Sequence, residues 1–329
     1  MFFLCMALLA AFFPTTLEAD ICPVCLAPFH GRSEEPVVVT TQCCGQRFDL
    51  DCISRCFADQ PIGSRRCVMC RQDPMPVVNL DTSESLPDTF FPDQTFFDAC
   101  YDGDLDQVEK SLAEGVNVNA VTSDDLTALM MASYGGHTDV VERLINAGAS
   151  PNAARSCGAT ALTFAVQENN PDCVKLLINA GADLNAARTS DGATPLFIAA
   201  LKGNTDCLEI LIHAGADLNA TRTLDGATPL FIAAWKGFTD CVEILIHVGA
   251  DLNAATTSDG ATSLFAAAEK GNTECLKALL EAGADLNALT KDGATPLSIA
   301  TMLSHSDCVK ALTEARERKE TKERHFAIH

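Results

Sequence analysis

A segment that recurs every 34 residues constrains the fold of this chain more than any other feature. Ala193-Thr-Pro-Leu-Phe-Ile-Ala-Ala-Leu-Lys-Gly203 returns almost unchanged at Ala227 to Gly237, with looser copies starting at Leu126, Ala159, Ala261 and Ala294. Each copy reads as a short helix: Thr194 suits the N-cap, Pro195 the first helical position where its missing N–H costs nothing, and Gly203 the end. A second helix follows, with Thr205 expected as its cap and Cys207, Leu208, Leu211 and Ile212 as its apolar stripe. Gly215 allows a left-handed turn at its end, and a finger closed by Asp225-Gly226 leads to the next copy. A helix pair of this size cannot bury its apolar face alone, so the period implies stacked units that share a core.

The residues that repeat resemble ankyrin repeats: Thr-Pro-Leu at 194, 228 and 295, and Gly-Ala-Asp-Leu-Asn-Ala at 181, 215, 249 and 283. Most units are one residue longer than the family's usual ~33, which places an extra residue in the finger. The resemblance covers residues 95–316, about seven units with an atypical opening unit from Thr95 and a closing unit from Ala294. Cys173, Cys207, Cys241, Cys275 and Cys308 recur with the repeat where the family usually has Ile or Val, and are expected to be buried packing thiols. Disulfides between equivalent positions about 10 Å apart do not fit the geometry of the bond. Asn185, Asn219, Asn253 and Asn287 read as a turn-stabilising series.

In ankyrin repeats the two residues before the glycine that closes each first helix vary and face the concave side, where partners dock. Here they are Tyr134 and Gly135, Gln167 and Glu168, Leu201 and Lys202, Trp235 and Lys236, and Glu269 and Lys270. Tyr134, Leu201, Lys202, Trp235 and Lys236 are the expected contacts of a protein substrate. The only Trp in the chain sits in this set, where an alternative is that it packs down on the neighbouring repeat.

Eight of the 16 cysteines fall between Cys22 and Cys70. Cys22-Pro-Val-Cys25 and Cys67-Val-Met-Cys70 can each place two thiolates on a tetrahedral zinc, and they bracket Cys44-Gly-Gln-Arg-Phe-Asp-Leu-Asp-Cys52. This arrangement resembles a RING finger. The resemblance implies two zinc ions, one on Cys22, Cys25, Asp49 and Cys52, the other on Cys44, Gln46, Cys67 and Cys70. Asp49 stands where the family has His or Cys, and a carboxylate is an acceptable ligand. Gln46 stands where His is usual and is a poor ligand beside thiolates, which leaves one filled site or a substitution by Cys43. Cys56 can likewise displace Asp49.

A RING carries no reacting nucleophile, so no catalytic residue is expected; it docks a ubiquitin-conjugating enzyme and holds the ubiquitin thioester in an attack-ready pose. The matching docking positions are Val24 and Ile53, and Arg71 matches the residue that bridges enzyme and ubiquitin. Cys56 replaces a usual Trp and Val68 a usual Pro. The two resemblances imply a small zinc-stabilised α+β RING module over 20–72, a Pro-rich linker over 73–94, an all-α ankyrin-repeat solenoid with short β-turn fingers over 95–316, and a charged tail over 317–329. The implied function is a RING-type ubiquitin ligase whose repeats select the substrate; the other reading is a non-catalytic adaptor with a structural zinc finger.

Lys and Arg total 23 against 44 Asp and Glu, a net charge of −21 that repels phosphates and disfavours nucleic-acid binding. With 47% hydrophobic and 20% charged residues the chain is not a disordered one. Phe2 to Phe13 is a run of 12 apolar residues, shorter than a membrane span, and with Ala19 before a cleavage point it reads as a signal peptide over 1–19. The expected product is secreted without a stable membrane anchor. Ubiquitin chemistry in a host cytosol then suggests a bacterial effector; if the segment is not a signal, the protein is cytoplasmic.

Overall fold

The computed structural model describes residues 38–41, 47–50, 53–54, 77–79, 85–86 and 93–326. The expectations for the signal segment over 1–19 and for Cys22, Val24, Cys25, Cys43, Cys44, Gln46, Cys52, Cys56, Cys67, Val68, Cys70 and Arg71 lie outside the described residues. The chain divides into two compact units, one of Met1–Ala132 with Asp139–Ser150, the other of Ser133–Thr138 with Pro151–His329.

In the first unit, β1 (Val38–Thr41), β2 (Arg47–Asp49), β3 (Val77–Asn79) and β4 (Ser85–Leu86) form an antiparallel sheet in the order β2-β1-β3-β4. Thr40 pairs with Arg47, and Thr41 with Val77. Val39 and its partner Phe48 are fully buried, as are Val77 and Ile53. The segment 73–94 is therefore not a plain linker. Its Val77-Val78 pair is β-branched and completes a ladder with β1. An extended stretch flanked by prolines has the same composition whether it spans space or pairs into a sheet.

The same unit holds α1 (Gln94–Asp102) and α2 (Leu105–Ala113), and most of α3 (Ala128–Gly135) and α4 (Thr138–Asn146). Asp93 caps α1 by accepting from the Thr95 amide at 3.1 Å, so the array opens within two residues of the boundary read from sequence.

The second unit continues with α5 (Ala161–Gln167), α6 (Pro171–Asn179), α7 (Pro195–Lys202), α8 (Thr205–His213), α9 (Pro229–Lys236), α10 (Thr239–His247), α11 (Ser263–Lys270), α12 (Thr273–Glu281), α13 (Pro296–Met302) and α14 (Ser306–Phe326). Odd-numbered helices pack in succession from α5 to α13, and even-numbered helices from α6 to α14. Thr194 and Thr228 cap α7 and α9 through the amides of Phe197 (3.3 Å) and Phe231 (3.2 Å), with Pro195 and Pro229 at the first position. Gly203 and Gly237 end them in the left-handed conformation. Leu196, Phe197, Ile198, Ala199 and Ala200 are all buried, so α7 touches neighbours on most sides and its alanines let the helices approach closely.

The second helices start differently from expectation. Asn204, not Thr205, occupies the N-cap of α8, and its side chain makes no cap bond. Its amide is engaged elsewhere, donating to the Val166 carbonyl of the preceding unit at 2.7 Å. The recurrent cysteines are packed as expected: Cys207 and Cys241 are fully buried, and desolvation pushes their thiols up to about 12 and about 11. They stay protonated and serve as small apolar side chains. Residues 317–321 of the charged C-terminal stretch are exposed on α14. Among the described residues no helix is long and apolar enough to cross a membrane.

Candidate functional site

Two ladders of hydrogen bonds hold the repeats of the second unit in register. In the turns, the Asn152 carboxamide accepts from the Asp183 amide at 2.7 Å and donates to the Gly181 carbonyl at 3.0 Å. Asn185, Asn219 and Asn253 accept from the amides of Asp217, Asp251 and Asp285 at 3.0, 2.9 and 2.9 Å. The asparagine series thus stabilises turns as its spacing suggests, and it does so across repeats.

The second ladder ties down the ends of the first helices. Asn170 donates to the carbonyls of Ser133 and Tyr134 (2.9 and 3.1 Å), and Asn272 to those of Ala234 and Trp235 (2.8 and 3.1 Å). His305 bonds the Glu269 carbonyl through Nε2 at 3.0 Å. The residues that end α3, α9 and α11 therefore stand on fixed backbone. One rung differs: Phe238 takes the place of the asparagine and lies against Gly203, where an added Cβ would come within 2.7 Å of the ring.

This ladder presents the face expected to meet a partner. Tyr134, Lys202, Lys236 and Lys270 are exposed, and Leu201 and Trp235 are half-buried. Tyr134 packs edge-on against Phe164, with centroids 6.3 Å apart. Trp235 lies between two ammonium groups, with Lys236 Nζ and Lys270 Nζ each 4.8 Å from the ring centroid. Trp235 leans on a side chain of the next unit and keeps part of its surface in solvent. Sequence reading brought Trp235 and Lys236 together but missed the role of Lys270. It also missed Phe238, which only the interruption of the Asn170, Asn204, Asn272 series could have marked.

The same face continues to the last unit. Ser304 has φ +62° where most units carry the closing glycine and the unit of α5 carries Asn169 at φ +56°, which assigns Met302 and Leu303 to the variable pair. Met302 is 71% exposed and Leu303 43%.

Of the residues expected in the cysteine-rich segment, two fall among those described. Asp49 ends β2, paired through its backbone with Val38. Ile53 is fully buried, packing inward. An Ile in a helical stretch between cysteines serves a small core as readily as an interface, and the sequence pattern does not separate the two.

The chain matches the ankyrin-repeat family in three consecutive blocks, residues 96–188, 185–256 and 253–323. No curated protein matches it. Among solved structures, the human ASB11 ankyrin repeat domain is 30% identical, with 67% of this chain and 96% of that one covered and a TM-score of 0.59. The ankyrin repeat domain of Bcl-3, a member of the IkappaB protein family, is 27% identical over 67% of this chain and 98% of that one, with a TM-score of 0.60. Such arrays bind protein partners. With matched blocks spanning most of its length, this chain belongs to the ankyrin-repeat family.

Proposed function

We propose that the chain is a RING-type ubiquitin ligase that captures a protein substrate on the ankyrin face and recruits a ubiquitin-conjugating enzyme through its cysteine-rich segment. The observation that carries this reading is the strand register. β2 and β3 flank β1, and both enter the sheet opposite its last two residues, Thr40 and Thr41. The segments that precede them in sequence carry Cys44 and Gln46 for β2, and Cys67 and Cys70 for β3, the second and fourth ligand pairs that share one ion in a RING. A thiolate-rich donor set suits zinc. Cys22, Cys25 and Cys52 with Asp49 or Cys56 would hold one ion, and Cys44, Cys67 and Cys70 with Cys43 or Gln46 the other. Bound zinc supplies folding free energy to a segment too small to hold a core unaided. The chain's own contribution to transfer is positioning: Val24 docks the conjugating enzyme and Arg71 orients the ubiquitin thioester. Thiols of this kind need a reducing site of action, which fits export from a producing cell into a host cytosol.

The adaptor reading has an observation of its own, the burial of Ile53, which removes one of the docking positions. Zinc analysis of the purified chain together with self-ubiquitination across a panel of conjugating enzymes separates the two. A ligase contains one or two zinc ions and transfers ubiquitin, and Arg71→Ala abolishes transfer at unchanged zinc content. Zinc without transfer by any enzyme leaves the adaptor; a metal-free, cooperatively folded segment removes both.

A further inference from the structure

The chain has 44 acidic residues against 23 basic ones, yet three of its lysines line one face of the second unit at the same place in consecutive repeats. Lys202, Lys236 and Lys270 are the last residues of α7, α9 and α11. All three are exposed. Among the described residues Lys202 and Lys236 have no carboxylate within ion-pair distance, and Lys270 has only its neighbour Glu269 at 3.8 Å. In so acidic a protein, exposed cations with no close carboxylate are available to an external one.

The positions of two of them are also set in advance. Trp235 holds Lys236 Nζ and Lys270 Nζ over its ring, so the two ammonium groups lie within twice 4.8 Å of each other. Asn272 in turn fixes the Trp235 carbonyl at 3.1 Å. Packed helices repeat at about 10 Å, and a segment in the extended polyproline II conformation advances about 3.1 Å per residue with three residues per turn, so every third side chain returns to the same side. Three residues of an extended segment thus span one repeat. On one side of the lysines, Glu168 takes the corresponding place and reverses the charge. On the other side, Met302 and Leu303 expose an apolar end.

We propose that this face binds an extended acidic segment of a partner protein, with carboxylates at every third residue and an apolar residue three positions beyond the last of them. The proposal rests on the reading of the array as the partner-capturing part of the chain, and adds the chemistry of the partner. The stretch of partner that passes Glu168 is neutral or basic.

The test uses the full chain and synthetic ten-residue peptides carrying Glu at positions one, four and seven and Leu at position ten, in both chain directions. Emission of Trp235, the only Trp, reports binding at this face, and anisotropy of a labelled peptide gives Kd. One of the two directions binds, more weakly as salt rises. Replacing Lys202, Lys236 and Lys270 together by Gln raises Kd by about tenfold or more, the yield of three exposed charge pairs, without moving the thermal midpoint. Moving the same glutamates to every second or every fourth position weakens binding several-fold. Equal binding of the respaced peptides, or of a Gln-for-Glu peptide, overturns the proposal. If the Gln peptide binds, is indifferent to the lysines and is lost in Trp235→Ala, the acidic partner class fails while the face remains the capture surface. No binding of any peptide overturns the proposal as well, and leaves ubiquitin transfer, measured separately, to judge the ligase reading.

Discussion

The fourth and fifth units of the array are nearly the same sequence put to different use. Helices α7 and α9 share seven of eight residues, Pro-Leu-Phe-Ile-Ala-Ala-x-Lys, and differ only at Leu201 against Trp235. Their threonine caps, their prolines and their left-handed closing glycines coincide, and so does the burial of Leu196 and Leu230. The turns that follow diverge. Asn204 ties the fourth unit to the Val166 carbonyl, whereas Phe238 puts a ring where the fifth unit would carry that amide. In the first helices the positions that make the fold are thus held constant between neighbours and change is confined to the exposed face, while the second helices differ conservatively in the core, Leu208 against Val242. The face can be altered without disturbing the frame because the frame's bonds are mostly backbone caps and buried apolar contacts.

The comparison is broken most severely from inside. Leu196→Ala and Leu230→Ala each remove a fully buried side chain between packed helices, and each is expected to cost about 2–5 kcal/mol. Urea titration followed by circular dichroism measures both. Equal losses confirm that the two units share one frame; a difference of more than about 2 kcal/mol would show that Trp235 and Phe238 reach into the core beneath them.

A smaller effect separates the turns. Gly203 and Gly237 have φ +76° and +82°, so alanine is strained at either, at about 1–3 kcal/mol. At Gly203 the new Cβ also meets the Phe238 ring, at 2.7 Å, and at Gly237 the Asn272 carboxamide, at 2.9 Å. Phe238→Ala is expected to relieve part of the cost of Gly203→Ala and none of the cost of Gly237→Ala. A double-mutant cycle in thermal denaturation checks this, and purely additive losses would remove the ring from the account.

The fingers ahead of the two units carry the same charged clasp. Arg188 bonds Asp191, and Arg222 bonds Asp225, whose carboxylate also accepts from the Ala227 amide at 3.1 Å. The hydrogen bond from Arg222 holds the Asp225 carboxyl below its usual range, against the opposing pull of burial. A folded-state value below the unfolded one means that the clasp stabilises fully above the unfolded value, about 3.9, and fades as pH falls through the folded value. Asp225→Ala is expected to cost about 1.5 kcal/mol at pH 7. The gap between variant and wild type should shrink as the pH drops below about 4; a gap that persists at pH 2 would assign the loss to packing.

Much of this frame was legible. Thr194, Pro195 and Gly203 fall where cap, first turn and left-handed end require them, because those are local demands that each residue meets within its own helix. The burial of the repeat cysteines followed from their period. What the sequence concealed depends on neighbours. Asn204 looks like a loop residue beside a good cap, and its true partner is 38 positions earlier. Val77 and Val78 become a strand only because β1 is there to pair with them. Lys270 joins Trp235 across a repeat boundary, and Ser304 hides the place of Met302 and Leu303 by standing where most units advertise it with glycine.

The smallest expected effect extends the comparison to the sixth unit and has the opposite sign. Ser263 opens α11 where Pro195 and Pro229 open α7 and α9. It is fully buried, and its hydroxyl makes no hydrogen bond. Its backbone N–H belongs to the first turn, where no intrahelical acceptor exists, so proline forfeits nothing there. The preceding Thr262 has φ −96° and ψ 169°, the extended conformation that a following proline favours. Ser263→Pro therefore removes an unsatisfied buried hydroxyl and narrows the unfolded ensemble at the same time. A gain of about 1 kcal/mol in the urea titration is expected, with the Thr262 cap to the Phe265 amide intact. Destabilisation would mean that the sixth unit leaves less room at this position than the two before it, and that the shared frame ends at Gly237.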